Sequence, residues 1–331
     1  IHSFCNKVIH ENFHFLNPDS DFRLADASES SMIFYETLDR LFEDLYTEDI
    51  LPGFTLLVDT FGYGKDDRRL KALVETLYEF TRSCPDTVKT LEKAVEEYRV
   101  NESFEFSRTF WGKILIGHIK DNLEYVLMEM EGLIETLESI PTFLQDAETL
   151  KSDAQQISGI IEQLAGALKG IGCWDDLLHL SSEISFKTLK RIKGEYDEEI
   201  REQVKRVRQN AKDTIALLTE KYLSWSNEQI REVMNKQYPV LKTLCRTVRL
   251  LEEAFSEEKK KRRLLDFSDL EHMALKVLYE ETPEGMKPSP IAREYSETFE
   301  EILIDEYQDS NYVQEAILTA VSKNSSNIFM V

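Results

Sequence analysis

Along most of this 331-residue chain, apolar side chains recur every third or fourth position. That spacing gathers them on one face of an α-helix. Residues 1–16 carry Phe4, Val8, Ile9 and Phe13 in this register, and Asn17-Pro18-Asp19 breaks it. An acidic amphipathic helix is predicted over 29–50, with Phe34, Leu38, Leu41, Phe42 and Leu45 on one side and Pro52-Gly53 at its end. Phe54 to Phe61 is apolar enough for a helix or a strand. Leu70, Leu73, Val74 and Leu77 predict a helix from Arg69. Cys84-Pro85-Asp86 interrupts it, and Thr87 begins another. One or two helices are expected over 104–139, and a further one starts at Ile140-Pro141-Thr142 and runs to a turn at Gly170-Ile171-Gly172. Residues 195–223 read as one long helix and 227–263 as a second, which Pro239 should kink or split. The two are expected to pack as a long antiparallel pair.

The period changes near the C-terminal end. Ile302-Leu303-Ile304 is a short apolar run bounded by polar residues, which predicts a buried parallel strand. Strand 301–304, helix 312–322 and strand 327–331 then form one βαβ step, expected to be right-handed. Asp305 and Glu306 fall at the carboxyl end of its first strand, where open α/β sheets place ligands. Two carboxylates there suit nucleotide hydrolysis, one holding Mg²⁺ through water and one polarising the attacking water. An acidic strand end facing solvent would read the same way.

The string Ile302 to Asn311 (Ile-Leu-Ile-Asp-Glu-Tyr-Gln-Asp-Ser-Asn) resembles motif II of the superfamily 1 helicases of the UvrD/Rep/RecB type. Its Asp-Glu-Tyr-Gln-Asp-Ser-Asn wording is similar to the helicase-bearing subunits of the AddAB-type (RexAB-type) helicase–nucleases of Gram-positive bacteria. Ile1-His2-Ser3-Phe4-Cys5 resembles the end of the Thr-x-His-Ser-Phe motif, and Leu265-Asp266-Phe267-Ser268-Asp269-Leu270 resembles the Leu-Asp-Phe-x-Asp-Leu motif. All three stand in the family's order.

The resemblance implies a mostly α fold, in which a large helical 1B domain (residues 21–263) is inserted into a partial RecA-like α/β 1A domain of the P-loop NTPase kind (1–20 and 264–331). It implies Asp305 as the Mg²⁺ carboxylate, Glu306 as the catalytic base, and Gln308 and Asp309 as links from the nucleotide site to neighbouring motifs. It places His2, Ser3, Asp266 and Asp269 near the DNA side. It further implies a longer parent that couples ATP hydrolysis to movement on DNA during double-strand break repair. That parent would carry a C-terminal nuclease and work with the other half of a heterodimer on single strands and duplex ends.

Several local features compete with these roles. Asp266 or Ser268 would serve equally as the cap of a helix beginning Asp269-Leu270-Glu271. Arg201, Lys205, Arg208 and Lys212 are spaced three and four apart, so they are expected on one helix face, either touching DNA phosphates or solvated beside Glu198, Glu199 and Glu202. A second basic run is Lys259-Lys260-Lys261-Arg262-Arg263. Gly62-Tyr63-Gly64-Lys65 lacks the Walker A spacing, since Asp59 and Asp66 stand where Gly and Ser or Thr are needed. His10-Glu11 with His14 formally matches a zinc-protease motif but offers no evident third ligand.

Composition narrows the choice. A net charge of −22 disfavours a general nucleic-acid binder and leaves room only for a local basic track. No apolar run is long enough to span a membrane. The four cysteines are far apart, without metal-ligand spacing, which favours buried thiols and a cytoplasmic, bacterial setting. The chain begins inside a motif and ends on an apolar run, and so reads as an excised piece. Without a Walker A loop or nuclease it is expected to be inactive alone, with no ATP or Mg²⁺ bound. Two other readings stay open. One is a non-enzymatic acidic helical scaffold for a protein partner. The other is a metal-dependent hydrolase using Asp305, Glu306 and Asp309.

Overall fold

The computed structural model describes residues 1–16, 22–48, 50–62, 66–179, 184–192, 195–282 and 285–331. Helices α1 (His2–Glu11) and α2 (Phe13–Leu16) open the chain. The short strand β1 (Arg23–Leu24) precedes α3 (Ala27–Thr47), α4 (Phe54–Phe61), α5 (Arg68–Arg82) and α6 (Val88–Glu96). Next come α7 (Phe110–Glu138), α8 (Leu144–Leu168), α9 (Trp174–Leu178), α10 (Glu198–Tyr222) and α11 (Asn227–Lys261). The remainder holds β2 (Leu264–Leu265), α12 (Phe267–Leu278), β3 (Tyr279–Thr282), β4 (Gly285–Pro288), α13 (Pro290–Thr298), β5 (Ile302–Ile304), α14 (Tyr312–Ala320) and β6 (Ile328–Met330). The chain is mostly helical, as its periodicity predicts.

Most helices start where the sequence offers a polar cap. The side chains of Asp26, Thr109, Asp197, Ser289 and Asn311 each accept a backbone N–H of the first turn they precede. Isolated helices of these lengths are marginal in water, so packing of their apolar faces must hold them. Each fully buried leucine or isoleucine contributes about 1.5–3 kcal/mol to that packing.

Two compact units divide the chain, Val100–Lys236 and the pair of segments Ile1–Arg99 with Gln237–Val331. In the first, α7, α8 and α10 share a core that includes Ile116, Met130, Leu150, Ile157 and Val204. A 3₁₀ turn, Phe106–Arg108, leads into α7 so closely that a Cβ on Gly112 would lie 1.9 Å from the Phe106 carbonyl oxygen. The second unit contains two apolar clusters. One joins α3, α4 and α5 to Leu244, Val248, Leu251 and Phe255 of α11. The other packs α1 (Cys5, Val8, Ile9) on α12 (Leu270, Ala274, Leu278) and α14 (Val313, Ile317).

Strands are few and short. β1 pairs in parallel with β2, β3 antiparallel with β4, and β5 in parallel with β6, Ile302 opposite Ile328 and Ile304 opposite Met330. The β5–α14–β6 segment is therefore the βαβ step that the sequence predicts.

Several expectations change. Phe54–Phe61 is a helix, and 104–139 holds one long α-helix after its 3₁₀ turn. α11 runs through Pro239 unsplit. The hydroxyl of Thr243 donates to the Pro239 carbonyl at 2.9 Å. The expected antiparallel pair of long helices does not form. α10 lays its apolar stripe on α7 and α8, whereas α11 beyond Gln237 contributes to the core of α3–α5. Asn17-Pro18-Asp19, Lys193 and residues 63–65 of the glycine-containing turn lie outside the described residues.

Candidate active site at the end of strand β5

Ile304 is buried at the end of β5, and the chain then emerges into solvent. Asp305 and Glu306 are both exposed. Glu306 adopts a left-handed conformation, φ 54° and ψ 47°, which costs a residue with a Cβ about 1–2 kcal/mol. This turn of the backbone swings the chain into a single 3₁₀ turn, Tyr307–Asp309. Two backbone bonds hold it: Tyr307 N–H donates to the Val331 carbonyl at 3.0 Å and Asp309 N–H to the Glu306 carbonyl at 3.0 Å. Gln308 Nε2 donates to Glu306 Oε2. The charge of Glu315 raises the Tyr307 phenol above its ordinary value. Asp305 has no ion-pair partner among the described residues. The site thus presents two free-standing carboxylates, one of them steadied by an amide.

The other motif residues meet on α12. Asp266 caps that helix by accepting from Asp269 N–H at 2.8 Å, and Asp269 accepts in return from Asp266 N–H at 3.1 Å. The capping role considered from sequence is therefore realised. Lys259, buried at the end of α11, reaches both carboxylates, at 2.6 Å from Asp266 Oδ2. Arg82 of α5 donates to Asp269 at 3.0 Å and to Ser268 at 3.0 Å. Burial pushes the Asp266 carboxyl up, but the charge and hydrogen bond of Lys259 outweigh it and hold it below its usual value. Burial, reinforced by the Arg82 charge, lowers His272 to about 4, and its Nε2 donates to the Arg82 carbonyl at 3.0 Å.

His2 stacks on Phe267 with ring centroids 4.5 Å apart, and its Nε2 lies 3.0 Å from Glu271 Oε1. Ser3 is exposed beside it. Glu271, only 3% exposed, also accepts from Gln314 Nε2 at 2.7 Å and faces Asn311 Nδ2 at 3.5 Å. Sequence reasoning missed Glu271, Asn311, Gln314 and Arg82. A signal existed for Glu271: it stands four residues after Phe267 and three before Ala274, on the apolar face of its helix. A carboxylate there must turn inward and find donors. The links expected of Gln308 and Asp309 are instead made one turn later, by Asn311 and Gln314. Among the described residues, Gln308 contacts only its own turn.

The basic ridge requires correction. Arg201 and Arg208 are 8% and 5% exposed and point into the core. Arg201 pairs with Asp146 and donates to the Lys190 carbonyl, while Arg208 pairs with Asp153 at 2.7 Å and donates to the Lys187 carbonyl. Both guanidinium groups neutralise buried carboxylates of α8, so they are not available to phosphates. Lys205 and Lys212 remain exposed, Lys205 bonded to Glu202 and Lys212 over the Phe186 ring. At the zinc-like motif, Glu11 accepts from the Tyr295 hydroxyl and His10 stacks on Phe22.

A parallel βαβ step with an acidic turn at the end of its first strand, tied to two further motifs, defines a nucleotide-dependent motor of the UvrD class. The model of the UvrD/REP helicase N-terminal domain matches residues 1–331, and the chain belongs to that family. Curated relatives are named as the larger, helicase-bearing component of an ATP-dependent helicase/nuclease. Those of Acetivibrio thermocellus and Clostridium acetobutylicum are each 35% identical over the whole chain, and that of Clostridioides difficile is 32% identical. The chain spans about a quarter of the length of these relatives, 26% for the first and 27% for the second. No helix among the described residues is long and apolar enough to cross a membrane.

Proposed function

We propose that this chain supplies the acidic half of an ATPase site and part of the DNA path in a cytoplasmic helicase–nuclease. In this reading residues 1–20 and 264–331 belong to the RecA-like 1A domain and residues 21–263 to the inserted 1B domain. The observation that carries it is the parallel β5–α14–β6 step with Asp305 and Glu306 at its exposed carboxyl end. The relatives' printed names, the family match and the three motifs in order support the same activity for a longer parent, which would act on DNA ends together with a second, different chain.

The donor set fits Mg²⁺. Asp305 and Glu306 offer hard carboxylate oxygens, and Mg²⁺ sites on nucleotides need only one or two such groups beside the phosphates. Asp305 would hold the ion through water. When bound, Mg²⁺ neutralises charge on the β- and γ-phosphates. Glu306 accepts a proton from the attacking water, while Gln308 fixes the carboxylate's direction. Positioning and charge neutralisation carry most of phosphoryl transfer, so these residues without a phosphate-cradling loop turn over no ATP. His2 and Ser3 face the polynucleotide.

Glu306→Gln in the full-length parent tests the assignment. It keeps size and hydrogen bonding but removes the base. ATP and DNA binding should persist while turnover falls about 10²-fold or more, the scale for a positioned general base. Asp305→Asn should weaken Mg²⁺-dependent nucleotide binding as well. Near-normal ATPase in Glu306→Gln would sink the catalytic role.

A further inference from the structure

Glu271 is a buried carboxylate whose partners come from two other elements. Its Oε1 accepts from Gln314 Nε2 at 2.7 Å and sits 3.0 Å from His2 Nε2; its Oε2 faces Asn311 Nδ2 at 3.5 Å. Asn311 is also the N-cap of α14, accepting from Gln314 N–H at 2.8 Å. The segment 305–310 leads directly into that cap. One carboxylate of α12 thereby ties the start of α1 to the start of α14. His2 has the opposite character: its side chain is 44% exposed and held only by Glu271 and the face of Phe267. Whatever binds at His2 must act on the same oxygen that orients Gln314.

We infer that Glu271 is a positioning residue that couples binding at His2 to the geometry of the Asp305–Glu306 turn. This rests on the function proposed above and adds the residue through which its two ligands communicate. A ligand transmits only as far as it interacts differently with two arrangements of the tie. A polynucleotide phosphate at His2 strengthens or breaks the His2–Glu271 bond, and Gln314 and Asn311 then hold or release the cap of α14. Coupling between two binding sites is reciprocal, so one factor describes both directions. It is read as the ratio of single-stranded DNA affinities with and without a non-hydrolysable ATP analogue.

The experiment uses the full-length parent and two replacements. Glu271→Met keeps the volume but removes both acceptors. Replacing a buried charge by an apolar side chain of similar volume is often neutral or stabilising, so the variant should fold. Glu271→Gln retains one acceptor for His2 and Gln314. The coupling factor is expected to fall at least fivefold toward unity in Glu271→Met and to recover in Glu271→Gln, with each ligand's affinity alone changed less than twofold. A merely structural role would instead lower both affinities together with the melting temperature. Should Glu271→Met fail to fold, His2→Ala, at the surface, gives the same readout. Coupling within twofold of wild type in Glu271→Met, or in His2→Ala where that variant is used, overturns the inference. A wild-type parent in which Glu306→Gln still hydrolyses ATP overturns the proposed function instead.

Discussion

His272 carries the clearest electrostatic consequence of a single buried side chain. Its ordinary value of 6.5 falls to about 4 through burial and the neighbouring Arg82 charge, with Lys276 adding to the shift and Glu271 opposing it. Between those values the unfolded chain binds a proton that the folded chain refuses. The stability due to neutral His272 is therefore complete above pH 6.5 and is lost as pH falls toward 4. At about 1.4 kcal/mol per pH unit, moving from pH 7 to pH 5 should cost about 2 kcal/mol through this residue. Urea unfolding of wild type and His272→Gln at the two pH values measures it. The variant, which can still donate to the Arg82 carbonyl, should lose about 2 kcal/mol less than wild type. Equal losses would mean that other groups set the acid sensitivity. Arg201 and Arg208 make the complementary point. Their spacing predicts a shared face, and they do share one, but the face is inward. Asp146 and Asp153 determine this from 55 residues away in each case. No pattern local to α10 contains that information.

Among the helices, periodicity alone located nearly all the long elements, because an amphipathic stripe is written within the element itself. Partners were less legible. The stripes of α10 and α11 are compatible with each other, and only the three-dimensional arrangement shows that each is used elsewhere. Pro239 illustrates a local rule outweighed by packing: it removes one backbone donor, yet Leu244, Val248 and Leu251 bury enough surface to keep the helix whole. The carboxylates of β5 were legible because strand ends have directional meaning, whereas Glu271 was hidden as one acidic residue among many. Glycines within α7 give a test of element-level packing. Gly112 faces the Phe106 carbonyl with no room for a Cβ, while a Cβ on Gly117 meets nothing within 4 Å. Gly112→Ala should destabilise by about 2 kcal/mol or more through forced backbone displacement. Gly117→Ala should stabilise by about 0.5–1 kcal/mol from helix propensity. Thermal melts of the two variants shifting in the same direction would contradict this account of the 3₁₀-to-α7 junction.

At the scale of the molecule, stability is distributed unevenly. The unit Val100–Lys236 buries long, continuous stripes on three helices. The β5–β6 pair has two short strands, with Leu303 76% and Phe329 52% exposed. Open backbone edges and few buried contacts mark regions that open locally at low free-energy cost. Amide hydrogen exchange should therefore be faster over 301–331 than over 200–222, by about tenfold for each 1.4 kcal/mol of difference in opening free energy. The reverse order would mean that the sheet, not the helices, anchors the chain. The net charge of −22 points the same way for ligands: polynucleotide approaches a repelling surface, so any affinity must come from local contacts such as those at His2.

The left-handed backbone at Glu306 sets two kinds of selection against each other. A library randomised at that position and sorted only for heat resistance should drift toward glycine, which enters the conformation without penalty. Sorted for turnover, the same library should return glutamate. Valine and isoleucine, whose branched Cβ cannot tolerate the geometry, should vanish from both pools.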